Sequence, residues 1–302
     1  QDFDRSGLRS IHLQRTLGEG DVIWGEARMG AEAAALLGSP VWRGNGVPLG
    51  GGRPVLLIPG FLAGDASLSL MSQWLRRVGY RTHASGIMSN VECSERAVTK
   101  LEARVIDLSE RYGQPVSIIG HSRGGMFGRV LAVRHPDRVS HVVTLGSPLV
   151  PSLDDLHPLL RLQIRTLQRV QRASGDGLLA NSCESSFEAY NFGLDPMGCC
   201  TDFWTDLDDD VLEHVQFTSI YSRSDGVLHW RCCLDPHAEH VEVQSSHCGM
   251  AFNAKVYATI GGLLSRAPYV HAEPEAEPAA EPAPRRRAAA ASRPRAERLA
   301  TT

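Results

Sequence analysis

The chain has 302 residues, 42% of them hydrophobic and 22% charged, with a formal net charge of −3. That is the mix of an ordinary globular protein long enough to bury a sizeable core, and it gives no reason to expect nucleic acid or another polyanion as partner. No apolar stretch reaches the roughly 18 residues of a membrane span, and the start QDFDRSGLRS lacks the basic-then-apolar order of a secretory signal, which points to a cytoplasmic protein.

In chain order, residues 1–50 read as a helical and loop extension. Within it, 26–37 (EARMGAEAAALL) holds good helix formers and stops at Gly38 and Pro40. A Gly/Pro-rich loop, VWRGNGVPLGGGRP, leads into a main domain spanning 51–266. There the pattern alternates. The apolar run PVLLI (54–58) ends at Pro59-Gly60 and reads as a buried strand. A helix is predicted over 67–78, with Leu68, Met71, Trp74, Leu75 and Val78 on one face. A weak strand (80–83), a long helix (94–112), a buried strand (115–119), a helix (124–135) and a strand (139–145) follow. Strands that alternate with helices and carry continuous apolar runs predict an α/β fold, a mostly parallel sheet with helices on both faces.

Between Pro148 and Val215 no strand pattern is visible. Leu156, Leu160, Ile164, Leu167 and Val170 fall at helical spacing, so the segment of about 151–214 reads as a helical cap inserted above the sheet. Its apolar stripe covers either the domain or an acyl chain. Strands return at 215–221 and 240–243, and a last helix is expected over about 251–264. Residues 267–302 are dominated by Pro, Ala, Glu and Arg, which predicts a disordered tail; Arg285, Arg286 and Arg287 read as part of a solvated segment. The seven cysteines include two adjacent pairs, Cys199-Cys200 and Cys232-Cys233, between which a bridge could form. Buried thiols are the plainer reading.

The densest chemical signal is Gly120-His121-Ser122-Arg123-Gly124, a G-x-S-x-G placed where a buried strand meets a helix. Such a turn is tight enough to hold Ser122 in a strained conformation at the sheet's C-terminal edge. Gly120 and Gly124 leave room where a Cβ would collide with backbone. A serine hydroxyl needs a base, and the base an orienting acid. Asp225 follows a late strand in VQFTSIYSRSDG; Asp206, Asp210 and Asp235 are the rivals. His247 lies between the last strand and the last helix, unlike His229, His237 and His240. His121, inside the elbow, reads as structural support. An oxyanion would meet the backbone N–H of Arg123 and one from the loop after the first strand, with Phe61 the first choice and Leu62 the second.

On LLIPGF, IIGHSRGG, VVTLGSP, IYSRSDGV and SSHCGM the chain resembles bacterial lipases and carboxylesterases of the α/β-hydrolase superfamily, over about 54–264. One departure is Pro59-Gly60 where many relatives carry His-Gly. The resemblance implies the α/β-hydrolase fold with a cap, no cofactor, and a small-molecule or lipid ester substrate, with peripheral contact to a lipid surface as an option. Acyl transfer by the same triad and a non-catalytic binding protein are the competing readings. A metal site from Cys232, Cys233, His237 and His240 lacks ligand spacing, so no metal is expected.

Overall fold

The computed structural model describes residues 28–150, 200–209 and 214–267. The tail (267–302) and the stripe from Leu156 to Val170 therefore lie, but for residue 267, outside the described residues, as does most of the expected cap.

Six strands form one sheet: β1 (Pro54–Ile58), β2 (Arg81–Ala84), β3 (Val116–His121), β4 (Val139–Leu145), β5 (Gln216–Tyr221) and β6 (Glu239–Glu242). Their order is β2-β1-β3-β4-β5-β6, and every neighbouring pair is parallel. β1, β3 and β4 are buried along their whole length, which is why they read as unbroken apolar runs rather than alternating ones. The edge strands differ: β2 and β6 are short, partly exposed and carry Arg81, His83, Glu239, His240 and Glu242, groups that discourage pairing with another sheet edge.

The period of two along each central strand sorts side chains to the two faces. Val55, Leu57, Ile119, Val143 and Leu145 pack with Leu36 of α1 (Met29–Gly38), Met71 and Trp74 of α2 (Ser69–Arg77), and Tyr257 and Ile260 of α6 (Ala254–Leu264). Leu56, Ile58, Ile118 and Val142 pack with Val98 and Leu101 of α3 (Ser94–Tyr112), Phe127 and Val130 of α4 (Arg123–Arg134), and Phe203 of α5 (Thr201–Leu207).

Three elements depart from the sequence reading. The described part of the N-terminal extension joins the core: Leu36 is fully buried, and Trp74 Nε1 donates to Val41 O at 2.7 Å. α5, which the sequence places at the end of the insertion, is a core helix. Its Phe203 meets Phe127 edge-on with centroids 5.7 Å apart. The last helix is broken. A 3-10 turn, Cys248–Phe252, precedes Asn253, whose extended backbone restarts the chain as α6 while its side chain accepts from the N–H groups of Lys255 and Val256.

The chain leaves β1 toward β2 on one side and returns to β3 on the other. The order of the strands thus reverses between β1 and β3, and it is outside the C-terminal ends of strands at such a reversal that ligands bind in open α/β sheets.

Candidate active site

β3 runs straight into α4 through Ser122, which has φ 52° and ψ −124°, a conformation that only a determined surrounding structure imposes on serine. That surrounding is visible. A Cβ on Gly120 would lie 2.4 Å from Gly124 O, and one on Gly124 would lie 2.3 Å from Ile58 O, so both positions exclude any side chain. The Ser122 N–H donates to Leu145 O on the neighbouring strand at 2.8 Å. Ser122 thus sits at the N-terminus of α4, where the helix dipole favours developing negative charge.

Two strands along the sheet, β5 ends and the chain turns through Asp225. Its Oδ1 accepts from Val227 N (2.8 Å) and Leu228 N (3.0 Å), which leaves Oδ2 to accept from His247 Nδ1 at 2.7 Å. The two side chains are 5% and 1% exposed for His247 and Asp225, so this pair works in a nearly dry environment. The end of β4 passes beside it: a Cβ on Gly146 would stand 3.2 Å from both Asp225 Oδ2 and His247 Nδ1. The rival acids are committed elsewhere. Asp235 binds Arg129 in a buried pair, and Asp206 accepts from Arg134 Nε at 2.6 Å; Asp210 lies outside the described residues. Among the rival histidines, His229 caps the turn Trp230–Cys233 and His240 Nε2 donates to Asp235 O at 2.7 Å. Among the described residues, no group of three or more His, Cys, Asp or Glu is arranged to hold a metal ion.

His121 takes a more specific place than general support. Its Nε2 donates to His247 O at 3.0 Å, and the two rings lie 5.1 Å apart, so the elbow itself anchors the backbone of the histidine loop. Burial, and next the nearby His247, lower the His121 pKa to about 4. The imidazole is therefore neutral at neutral pH. Between pH 6.5 and about 4 the unfolded chain protonates this residue and the folded one does not, so stability falls as pH falls through that window. Urea titrations of wild type and His121→Gln across pH 7 to 4 are expected to differ in slope by a few kcal/mol in total, the wild type losing more. Parallel profiles would contradict a neutral, buried His121.

The loop after β1 faces the elbow. Leu62 N–H is spent on Asn90 O (3.3 Å), which removes the second-choice donor and leaves Phe61 as the candidate beside Arg123. Leu62 itself has φ 61°, the only other non-glycine besides Ser122 with positive φ among the described residues. Asn90, which the sequence did not single out, braces this loop. Fully buried, it donates from Nδ2 to Pro59 O (2.8 Å) and accepts at Oδ1 from Arg123 Nη1 (2.8 Å). Arg123 also donates from Nη2 to Glu92 O (2.7 Å) and Ser94 Oγ (2.9 Å). Its side chain thus ties the two candidate donor segments together, a role beyond its backbone N–H.

Glu32 is the other residue that sequence reasoning missed. It accepts from Ser246 N (3.2 Å) and Ser246 Oγ (2.8 Å), and Ser246 Oγ accepts from Gly249 N (3.1 Å), so α1 clamps both flanks of His247. Its partner is 214 residues away in sequence, and no local pattern marks it. Glu32→Ala is expected to lower kcat roughly 10–100-fold with little change in KM, because the loop that carries His247 loses its anchor on α1. Steady-state kinetics on a p-nitrophenyl ester test this, and an unchanged kcat would limit Glu32 to a packing role.

A parallel sheet flanked by helices on both faces, with a strained serine elbow where β3 meets α4 and an Asp–His pair on the following loops, has the architecture of the α/β-hydrolase fold. Residues 104–175 match the family model described as alpha/beta hydrolase fold, a span running from within α3 through the elbow and β4. Among solved structures, the chain is similar to the mature form of a Bacillus licheniformis lipase, at 11% identity over 72% of this chain and 94% of that one, with a TM-score of 0.48. It is also similar to a putative aryl esterase from Burkholderia cenocepacia, at 16% identity over 73% of this chain and 94% of that one, with a TM-score of 0.44. No described helix is long and apolar enough to cross a membrane.

Proposed function

We propose that the chain is a serine hydrolase that cleaves carboxylic esters, of lipid or other acyl type, through an acyl-enzyme. The observation that carries this reading is the dry Asp225–His247 pair held against the elbow that strains Ser122. Asp225 fixes the Nδ1–H tautomer, which leaves His247 Nε2 as the base. Ser122 Oγ attacks the ester carbonyl and passes its proton to Nε2. The resulting oxyanion is received by the N–H groups of Phe61 and Arg123. His247 then returns the proton to the leaving alcohol, and the acyl group stays on Ser122. A water molecule, deprotonated by the same Nε2, releases the acid and restores the serine.

Leu62 (50% exposed) and Met88 (94% exposed) favour an apolar acyl or lipid substrate, since Leu62 belongs to the candidate oxyanion loop and Met88 to a loop packed against it at Gly64. A chain-length series of p-nitrophenyl esters tests the assignment. The value of kcat/KM is expected to rise from acetate to octanoate, by at most about fourfold per methylene, the equivalent of ~0.8 kcal/mol. A flat series would remove the acyl preference, and absence of turnover on every ester would remove the esterase reading.

A further inference from the structure

Cys93 and Cys200 lie 107 residues apart in sequence, yet their Sγ atoms approach to 3.3 Å in the core beneath α3 and α4. Cys200, Cys232 and Cys233 are buried thiols, the plainer of the two readings the sequence allows, and the sulfur that Cys200 meets is that of Cys93. Each sits at the start of a helix: Cys93 precedes α3, and Cys200 precedes α5. Both side chains are buried, in one cluster with Phe127 and Phe203.

We propose that Cys93 and Cys200 form a disulfide that ties the loop bracing the turn after β1 to the N-terminal end of α5. Closing the bond brings the sulfurs from 3.3 Å to about 2.05 Å, a movement within reach of side-chain rotation. The oxidant is a small-molecule disulfide. One protein thiolate attacks it and releases a thiol; the second protein thiolate then attacks the mixed disulfide and releases another. In sum, two protein thiols and one small disulfide give one protein disulfide and two small thiols. The exchange takes place during folding, while both thiols are open, and packing then shields the bond from reductant.

The place of the bond gives it a consequence. Cys93 is three residues from Asn90, which braces Pro59 and Arg123, and one from Glu92, whose carbonyl accepts from Arg123. α5 is the first described element after β4. The bond therefore joins the brace of the candidate oxyanion loop to the N-terminal end of α5, independently of which ester is turned over.

The full-length protein, produced in a host with an oxidising cytoplasm, is alkylated and digested without reduction. Mass spectrometry is expected to find the peptide of Cys93 linked to the peptide of Cys200. That second tryptic peptide also holds Cys183 and Cys199, so the link must survive Cys183→Ser and Cys199→Ser and vanish in Cys200→Ser. Wild type unfolded and refolded in dithiothreitol is expected to melt roughly 5–10 °C below wild type refolded without it, and Cys93→Ser is expected to melt at the same temperature after either treatment. An alkylated Cys93 in the wild type, or a link that follows Cys183 or Cys199, would overturn the inference. Neither outcome touches the hydrolase reading, which is judged on turnover.

Discussion

Ser122→Ala is expected to reduce kcat on any accepted ester by on the order of 10⁶-fold while the protein stays folded. The acyl-enzyme cannot form without Oγ, and the water that could replace it would have to find its own route to His247. The fold survives because the tight turn rests on Gly120 and Gly124, whose missing side chains leave space for backbone, and on the Ser122 N–H bonded to Leu145 O. Alanine keeps both. Circular dichroism and Tm establish folding, and turnover per folded molecule is the readout. A folded variant working near the wild-type rate would remove Ser122 from the chemistry.

Asp225→Asn is expected to lower kcat by on the order of 10⁴-fold, again without unfolding. An asparagine placed there can still accept from Val227 N and Leu228 N through Oδ1. Its NH₂ group then faces His247 Nδ1, which must turn a lone pair toward it and carry the ring proton on Nε2. The imidazole is held in place but presents a proton where the serine needs a base. Asp235→Asn separates the two effects. Its carboxylate is paired with Arg129, both almost wholly buried, so the variant is expected to lose about 3–5 kcal/mol of stability and keep its turnover per folded molecule. If kcat collapses in Asp235→Asn and persists in Asp225→Asn, the acid has been misassigned.

Elements with a strong local signature were legible in the sequence. The runs PVLLI and VSHVVTL read as buried strands from their short apolar runs, and the elbow reads from its glycine spacing together with the strand before it and the helix after it. The hydrogen bond between Asp225 and His247 fits their place after late strands in the sequence. What escaped was held by long-range contacts. Glu32 meets Ser246 across 214 residues, Asn90 reaches Pro59 across 31, and Arg129 gathers Asp235 with the carbonyls of Asp206 and Asp209. No periodicity encodes such partners. The break at Asn253 was missed for a different reason: Ala251 and Phe252 continue the apolar pattern, and only the side-chain cap on Lys255 and Val256 resets the helix start.

The central claim is that Ser122 becomes covalently acylated under the control of His247. It is tested most directly by treating the native protein with a fluorophosphonate and mapping the adduct by peptide mass spectrometry. One adduct per chain, on Ser122 and lost in both Ser122→Ala and His247→Ala, is the predicted result. An adduct on another residue, or hydrolysis of esters by a protein that takes up no label, would contradict the account.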